Sequence, residues 1–133
     1  MPALQRSRRL GDKAIAAGFR WKDVAGALAK LEEEVGELRA ELEAAEGLLA
    51  SPRGGVPDDA RERIESELGD VLFAGSLLGS YLGLDPEQAT RGSIRRFERR
   101  FRAMEESIGD PSAYELPALI EAWNAAKQAT QDD

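Results

Sequence analysis

Apolar residues recur every three to four positions along most of this chain, which is the spacing of one face of an α-helix. The pattern is clearest in two long segments. Their apolar stripes are Leu28, Leu31, Val35, Leu38 and Leu42 in the first segment, and Ile64, Leu68, Val71, Gly75, Leu78 and Leu82 in the second. No segment alternates convincingly between apolar and polar residues, as a half-buried strand would. The pattern therefore predicts an all-α protein.

Turn and cap residues divide this pattern into five helices. The helices are predicted at residues about 3–17, 24–49, 58–82, 86–108 and 117–130. Asp23 and Asp85 are the expected N-caps, because a short carboxylate side chain can accept hydrogen bonds from the first free N–H groups of a helix.

The strongest break in the chain is the segment 51–57, in which Gly54 and Gly55 are interpreted as a hinge. Short connections favour antiparallel neighbours. We therefore expect an antiparallel helical bundle built on a long helical hairpin, in a single domain over residues 1–133.

Composition narrows the possible functions. The 133 residues are 42% hydrophobic and 32% charged, with a net charge of −7. The chain has neither His nor Cys, so a metal site would need oxygen ligands, which favour Mg²⁺, Mn²⁺ or Ca²⁺ over zinc or copper. The negative charge argues against a nucleic-acid partner, and no apolar run is long enough to span a membrane. With no secretory segment evident, a cytoplasmic location is expected.

Two acidic motifs of the same form lie on the two long predicted helices. Glu34 and Glu37 are three residues apart, and so are Glu67 and Asp70, so each pair shares one helix face. At roughly 100° per residue, both pairs fall about 60° and 120° to the same side of their apolar stripes. An antiparallel hairpin would gather all four carboxylates into one patch beside the core. The alternative is a solvated acidic face, which is the interpretation given to Glu32, Glu41 and Glu43.

The fourth predicted helix carries the basic counterpart, Arg95-Arg96-Phe97-Glu98-Arg99-Arg100-Phe101-Arg102. Its arginines are either a charged face that balances an acidic protein or a clamp that binds phosphate oxygens bidentately. Lys30 with Glu34, and Arg63 with Glu67, are spaced for i,i+4 ion pairs. Trp21 and Trp123 are interpreted as packing anchors in preference to platforms on which a base stacks. A metal patch and an arginine cluster in one small bundle would suit a nucleoside triphosphate.

Several runs of this chain resemble the MazG nucleoside triphosphate pyrophosphohydrolases, and most closely the C-terminal domain of the two-domain members. They are Gly18–Val24, Lys30–Leu38, Glu67–Ala74, Arg96–Phe101 and Trp123–Lys127. The resemblance implies the all-α fold of that family, a homodimer or a dimer of dimers, and hydrolysis of an NTP or dNTP to the monophosphate and pyrophosphate.

The resemblance also implies roles for individual residues. The Mg²⁺ ligands, with Mn²⁺ as a substitute, would be Glu34, Glu37, Glu67 and Asp70. The substrate would be bound by Arg63, Arg96, Arg100, Trp123 and Lys127. Glu33 or Glu37 would orient or deprotonate the attacking water. Ile94 departs from the family, which usually has Asn there, and the loss of an amide side chain could change the choice of substrate or weaken the activity.

The leading hypothesis is therefore a Mg²⁺-dependent nucleoside triphosphate pyrophosphohydrolase that clears the nucleotide pool. One alternative keeps the chemistry and narrows the substrate to dUTP, dCTP or a modified nucleotide. Another is a non-catalytic helical binding or assembly module. Self-association is expected because Leu48, Phe73 and Leu77 fall away from the main apolar stripes.

Overall fold

The computed structural model describes residues 1–52 and 55–131, so Gly54 of the expected hinge lies outside the described residues. Within these ranges the chain forms helices and no strand, which confirms the all-α prediction. The helices are α1 (Ala3–Ala16), α2 (Val24–Ala44), α3 (Asp58–Leu82), α4 (Pro86–Ile108) and α5 (Leu116–Ala129), with a short 3-10 turn at Pro111–Ala113.

The residues that begin and end the helices act largely as the sequence predicts. The Asp23 side chain accepts a hydrogen bond from the Gly26 N–H at 3.0 Å, and Asp85 accepts one from the Glu87 N–H at 2.9 Å. Gly83 closes α3 in the left-handed conformation, at φ 67°. The predicted end of α2 near residue 49 is wrong, because Ala45 turns into an extended conformation and its side chain is buried in the core.

Helices α2 and α3 form an antiparallel hairpin whose core lies near the connecting loop. Ala45, Ala60 and Ile64 are buried there. Partly buried apolar side chains pack against them, namely Leu38, Leu42, Leu48 and Val56. Leu48 was expected on an outer face, but the loop folds it onto this core. Two alanines at the centre leave little side-chain bulk between the helices, so the helices can approach closely there.

Only part of each predicted apolar stripe faces the partner helix. On α2, Leu31, Leu38 and Leu42 are partly buried. By contrast, Val35 remains 49% exposed, and Leu68 on α3 is exposed to the same extent. The hairpin therefore keeps large apolar side chains on its outer faces.

Helix α1 packs closely on α3 at Gly11. A Cβ atom built on Gly11 would lie 2.8 Å from Ser80 Oγ and 2.9 Å from Leu77 Cδ2, so only glycine fits without a shift. Leu77, expected on an outer face, is therefore partly covered by α1. Near the same end of the hairpin, the Trp21 N–H donates a hydrogen bond to the Tyr81 hydroxyl at 2.6 Å, and the two rings are 6.0 Å apart. These contacts agree with the interpretation of Trp21 as a packing anchor.

The chain forms two compact units, Met1–Glu87 and Gln88–Asp133. The second unit contains most of α4 and all of α5. Within it, the Phe97 ring lies 5.1 Å from that of Trp123 and stacks on that of Phe101 at 6.1 Å. Met104 is buried, while the Phe97 side chain remains largely exposed, so the apolar residues of α4 are only partly covered.

None of the helices within the described ranges is both long and apolar enough to cross a bilayer. The cytoplasmic location and the single domain expected from the sequence stay predictions.

Two glycine substitutions test the packing of α1 on α3. Replacing Gly11 with Ala should lower the free energy of unfolding by up to roughly 1 kcal/mol, because the added methyl must displace the side-chain ends of Ser80 and Leu77, which outweighs the helix propensity of alanine. Gly36 lies in the middle of α2, and a Cβ there meets no described atom within 4 Å. Its replacement by Ala should therefore raise the free energy of unfolding by roughly 0.5–1 kcal/mol. Urea denaturation measures the free energy of unfolding of both variants. Changes of the same sign in the two variants would contradict the close packing of α1 on α3 at Gly11.

Candidate metal centre

The hairpin brings three of the four predicted carboxylates together. Glu34 from α2 and Glu67 and Asp70 from α3 each place one carboxylate oxygen within 4.8 Å of the others. Glu34 faces α3 because of the antiparallel register, and Glu67 and Asp70 share one face because they are three residues apart. These three side chains are here called the acidic cluster. Their carboxylate oxygens lie close enough together to bind one ion.

Burial makes the acidic cluster costly without a cation. Glu34 is only 6% exposed. Glu34 Oε2 and Glu67 Oε2 are buried, and neither finds a hydrogen-bond donor among the described residues. A buried carboxylate oxygen without a partner is destabilising, and two like unit charges about 5 Å apart repel by roughly 3 kcal/mol at an effective dielectric constant of about 20. An all-oxygen donor set with unpartnered buried atoms fits a hard divalent cation.

Glu37, the fourth predicted ligand, lies beside the acidic cluster and outside the group of three. The negative charge of Glu34 raises the pKa of the exposed Glu37 side chain, and a hydrogen bond with Glu34 and the charges of Glu67 and Glu33 act in the same direction. Glu37 therefore lies within the electrostatic influence of the acidic cluster. A carboxylate with a raised pKa is also a stronger base than an ordinary one.

Lys30 supplies the nearest positive charge. Its Nζ lies 2.9 Å from Glu34 Oε1 and 3.7 Å from Glu33 Oε2, so the i,i+4 pair expected from the sequence is confirmed. The hydrogen bond to Glu34 raises the pKa of Lys30, which stays protonated at neutral pH. Glu33, the other candidate base, is exposed. One ammonium group offsets only part of the charge of four carboxylates.

Arg63 does not pair with Glu67 as the spacing suggested. Its Nε donates to Glu41 Oε2 at 3.0 Å across the hairpin, and its Nη1 donates to the Asp59 carbonyl oxygen at 2.8 Å. Glu41 had been assigned to a solvated face, and that assignment is wrong because Glu41 meets α3. The signal was available in the sequence, since Glu41 lies one helical turn after Glu37 and Arg63 one turn before Glu67.

A cleft of about 480 Å³ connects Arg63 with the acidic cluster. It is lined by Glu41, Asp58, Asp59, Glu62, Arg63, Ser66 and Glu67. Glu67 thus belongs both to the acidic cluster and to the wall of this cleft.

The second unit carries the other predicted substrate-binding residues. Arg96 Nη2 donates to Ser93 Oγ at 3.0 Å, and Arg100 is partly buried, with an Nε that finds no acceptor among the described residues. Trp123 is partly buried beside Phe97, as its ring contact requires. Two further positions are exposed, Lys127 in the last turn of α5 and Ile94 on α4.

The chain matches a known protein family over more than half of its length. Residues 22–104 match the MazG nucleotide pyrophosphohydrolase domain. The matched range contains both acidic motifs, Arg63, Arg96 and Arg100, and it ends before Trp123 and Lys127.

Two full-length relatives are similar over almost the whole chain. A Thermotoga maritima protein named nucleoside triphosphate pyrophosphohydrolase/pyrophosphatase MazG is 40% identical over 131 residues, which are 96% of this chain and 45% of that protein. An Escherichia coli K12 protein named nucleoside triphosphate pyrophosphohydrolase is 29% identical over 136 residues, covering 99% of this chain and 47% of the relative. The chain spans about half the length of the curated relatives it matches.

Replacing Glu37 with Gln removes one negative charge beside the acidic cluster. It should raise the melting temperature of the metal-free protein by a few degrees. The gain should be largest above the raised pKa of Glu37 and should shrink as the pH falls through that pKa towards the ordinary value of 4.5. The sign follows because a carboxyl group whose pKa rises on folding loses stability as the pH rises between the two values.

Melting curves in a chelating buffer at several pH values measure this effect. Glu43→Gln is the control, because Glu43 pairs with Arg39 on the solvated side of α2, at 2.7 Å. A gain that grows towards low pH would show that Glu37 is not repelled by its neighbours.

Proposed function

This chain belongs to the MazG nucleotide pyrophosphohydrolase family, and on that premise we propose that it hydrolyses nucleoside or deoxynucleoside triphosphates to the monophosphate and pyrophosphate. The observation that carries the proposal is the acidic cluster, in which three carboxylates converge and two buried oxygens have no partner among the described residues. The names of the two relatives support the same reaction class.

The cation we propose is Mg²⁺, with Mn²⁺ as a substitute. Mg²⁺ prefers oxygen ligands, uses few carboxylates and completes its shell with water and substrate phosphates. Glu34, Glu67 and Asp70 would hold it, with Glu37 as a fourth ligand or as a base. When bound, it would polarise the phosphate and neutralise its charge.

Side chains around the acidic cluster would then activate the attacking water. Glu37 is the better candidate for the base, because it lies beside the acidic cluster and its raised pKa makes its carboxylate a stronger base than an ordinary one. Glu33 is the second candidate, because its Oε2 lies 3.7 Å from Lys30 Nζ and it is not part of the acidic cluster. Water enters at the α-phosphorus, the bond to the bridging oxygen breaks, and the departing pyrophosphate carries away the negative charge.

Basic side chains would stabilise that departing charge. Arg63 lines the cleft that includes Glu67, so it can reach phosphate oxygens next to the cation. In the second unit, Arg96 and Arg100 offer guanidinium groups suited to bidentate phosphate binding, with Lys127 as a point charge. Trp123 would contact the nucleotide, as the resemblance implies.

We also propose that the chain assembles into a homodimer or a dimer of dimers. The support is the set of large apolar side chains on the outer faces of the hairpin, namely Leu28, Val35, Leu68, Leu72 and Phe73, all of them exposed. An apolar surface of this extent usually marks a contact between proteins.

Incubation with a panel of NTPs and dNTPs in Mg²⁺ tests the activity, with monophosphate and pyrophosphate as the expected products. Glu37→Gln should lower kcat by about a hundredfold or more, since removal of a positioned base costs that much. Asp70→Asn should abolish turnover by weakening the metal site. The control Glu43→Gln should match the unmodified protein, because Glu43 faces away from the site.

Full activity in the Glu37 and Asp70 variants would rule out this site. Mg²⁺-dependent nucleotide binding without turnover would favour the non-catalytic binding module. Calorimetry that finds no uptake of Mg²⁺ or Mn²⁺, even with triphosphate present, would exclude the metal-dependent reaction. A single preferred nucleotide, such as dUTP or dCTP, would narrow the substrate and keep the chemistry.

Light scattering tests assembly. We expect two or four times the mass of one chain. Leu72→Lys should shift the protein towards the monomer, because it places a charge on the apolar outer face of α3. Leu49→Lys changes an equally exposed leucine in the connecting loop and should leave the mass unchanged. Monomeric unmodified protein at micromolar concentration would contradict the assembly.

A further inference from the structure

We propose that Glu41 is a positioning residue, which holds Arg63 away from Glu67 and leaves one guanidinium nitrogen open to a phosphate oxygen. The identity of that ligand rests on the function proposed above. The claim about Glu41 itself rests on the contacts that Arg63 makes in the first unit.

Two bonds fix the plane of the Arg63 guanidinium. Nε donates to Glu41 Oε2 at 3.0 Å, and Nη1 donates to the Asp59 carbonyl oxygen at 2.8 Å. Nη2 donates no hydrogen bond to the residues that the structure describes. An arginine held at two of its three nitrogens has already lost much of its rotamer freedom, so an anion that binds at the third meets a smaller entropy cost.

The Asp59 bond alone would not keep Arg63 in place, because other acceptors are close. Glu67 follows Arg63 by four residues on α3, a spacing that allows an ion pair within a helix, although an acidic residue before a basic one is the stronger order. Even so, Arg63 bonds across the hairpin to Glu41, and Glu67 Oε2 remains buried without a donor among the described residues. Glu41 therefore competes with Glu67 for Arg63 and leaves Glu67 available to a cation.

Because the cleft is strongly acidic, the competition between Glu41 and Glu67 for Arg63 affects whether an anion can bind there. Five carboxylates line the cleft, and Arg63 is the one basic side chain among its described lining residues. An anion that enters would be repelled unless both a cation at Glu67 and the guanidinium of Arg63 attract it. If Arg63 collapsed onto Glu67, the site would lose both attractions at once. Glu41 prevents this, although its own negative charge adds to the acidity of the cleft.

The test separates the charge of Glu41 from its hydrogen bond. Glu41→Gln and Glu41→Met remove the same charge, but only Gln keeps an oxygen that can accept from Arg63 Nε. Two affinities are measured by calorimetry: that of Mn²⁺ for the metal-free protein, and that of inorganic tripolyphosphate in the presence of Mg²⁺. We expect Glu41→Met to bind both about three- to tenfold more weakly than Glu41→Gln, which is the scale of ordering one long side chain.

A second comparison tests whether Glu41 acts through Arg63. In an Arg63→Ala background, the difference between the Gln and Met variants should vanish, because no guanidinium remains to be positioned. Glu43→Gln and Glu43→Met form the matched control, since Glu43 makes the same kind of bond with Arg39, at 2.7 Å, on the same helix. Melting temperatures should stay nearly constant, because a solvent-exposed ion pair contributes little to stability.

Equal affinities for the Gln and Met variants would overturn the proposal, and so would a difference that persists without Arg63. These results do not depend on turnover. If the unmodified protein binds Mn²⁺ and Mg²⁺–tripolyphosphate but hydrolyses no nucleotide, the proposed reaction fails while the role of Glu41 is still decided. If it binds neither probe, both proposals fail.

Discussion

Repulsion between carboxylates held on one side of the α2–α3 hairpin is the constraint on which the site depends. Glu34, Glu67 and Asp70 are held within 4.8 Å by helices that cannot separate without breaking the core, and Glu37 is repelled strongly enough that its pKa rises. Lys30 balances one of these charges. A bound cation would relieve the remaining repulsion, so we expect binding of an ion and stability of the hairpin to be thermodynamically linked.

The register of the hairpin sets the contacts between α2 and α3 at the site. Trp21 meets Tyr81, Glu34 meets Glu67, and Glu41 meets Arg63, so one antiparallel alignment accounts for all three contacts. The small core of Ala45, Ala60 and Ile64 sets this alignment at the loop end, and Gly11 lets α1 close on α3 near the other end. A shift of one residue would turn Glu34 away from α3, since successive helical residues differ by roughly 100°.

The second unit supplies a different kind of chemistry. Its arginines lie on α4, which also carries Phe97, whose ring contacts that of Trp123. Ile94 is an exposed residue of the same helix, at a position where the MazG family usually has Asn. An apolar residue there can neither donate to nor accept from a nucleotide base or sugar. The resemblance therefore implies that Ile94 alters the choice of substrate or weakens the activity.

The sequence by itself determined the helices, most of their caps and which carboxylates share a face. These features depend on local periodicity and on single residues such as Asp23, Asp85 and Gly83, so no long-range information is needed. Only the tertiary structure decided that Arg63 bonds to Glu41 and leaves Glu67 unpaired, that Leu48 joins the core, and that α2 ends at Ala44. In each case the local sequence allows several partners about equally well. Packing across the hairpin selects among them, because it sets which partner lies within reach.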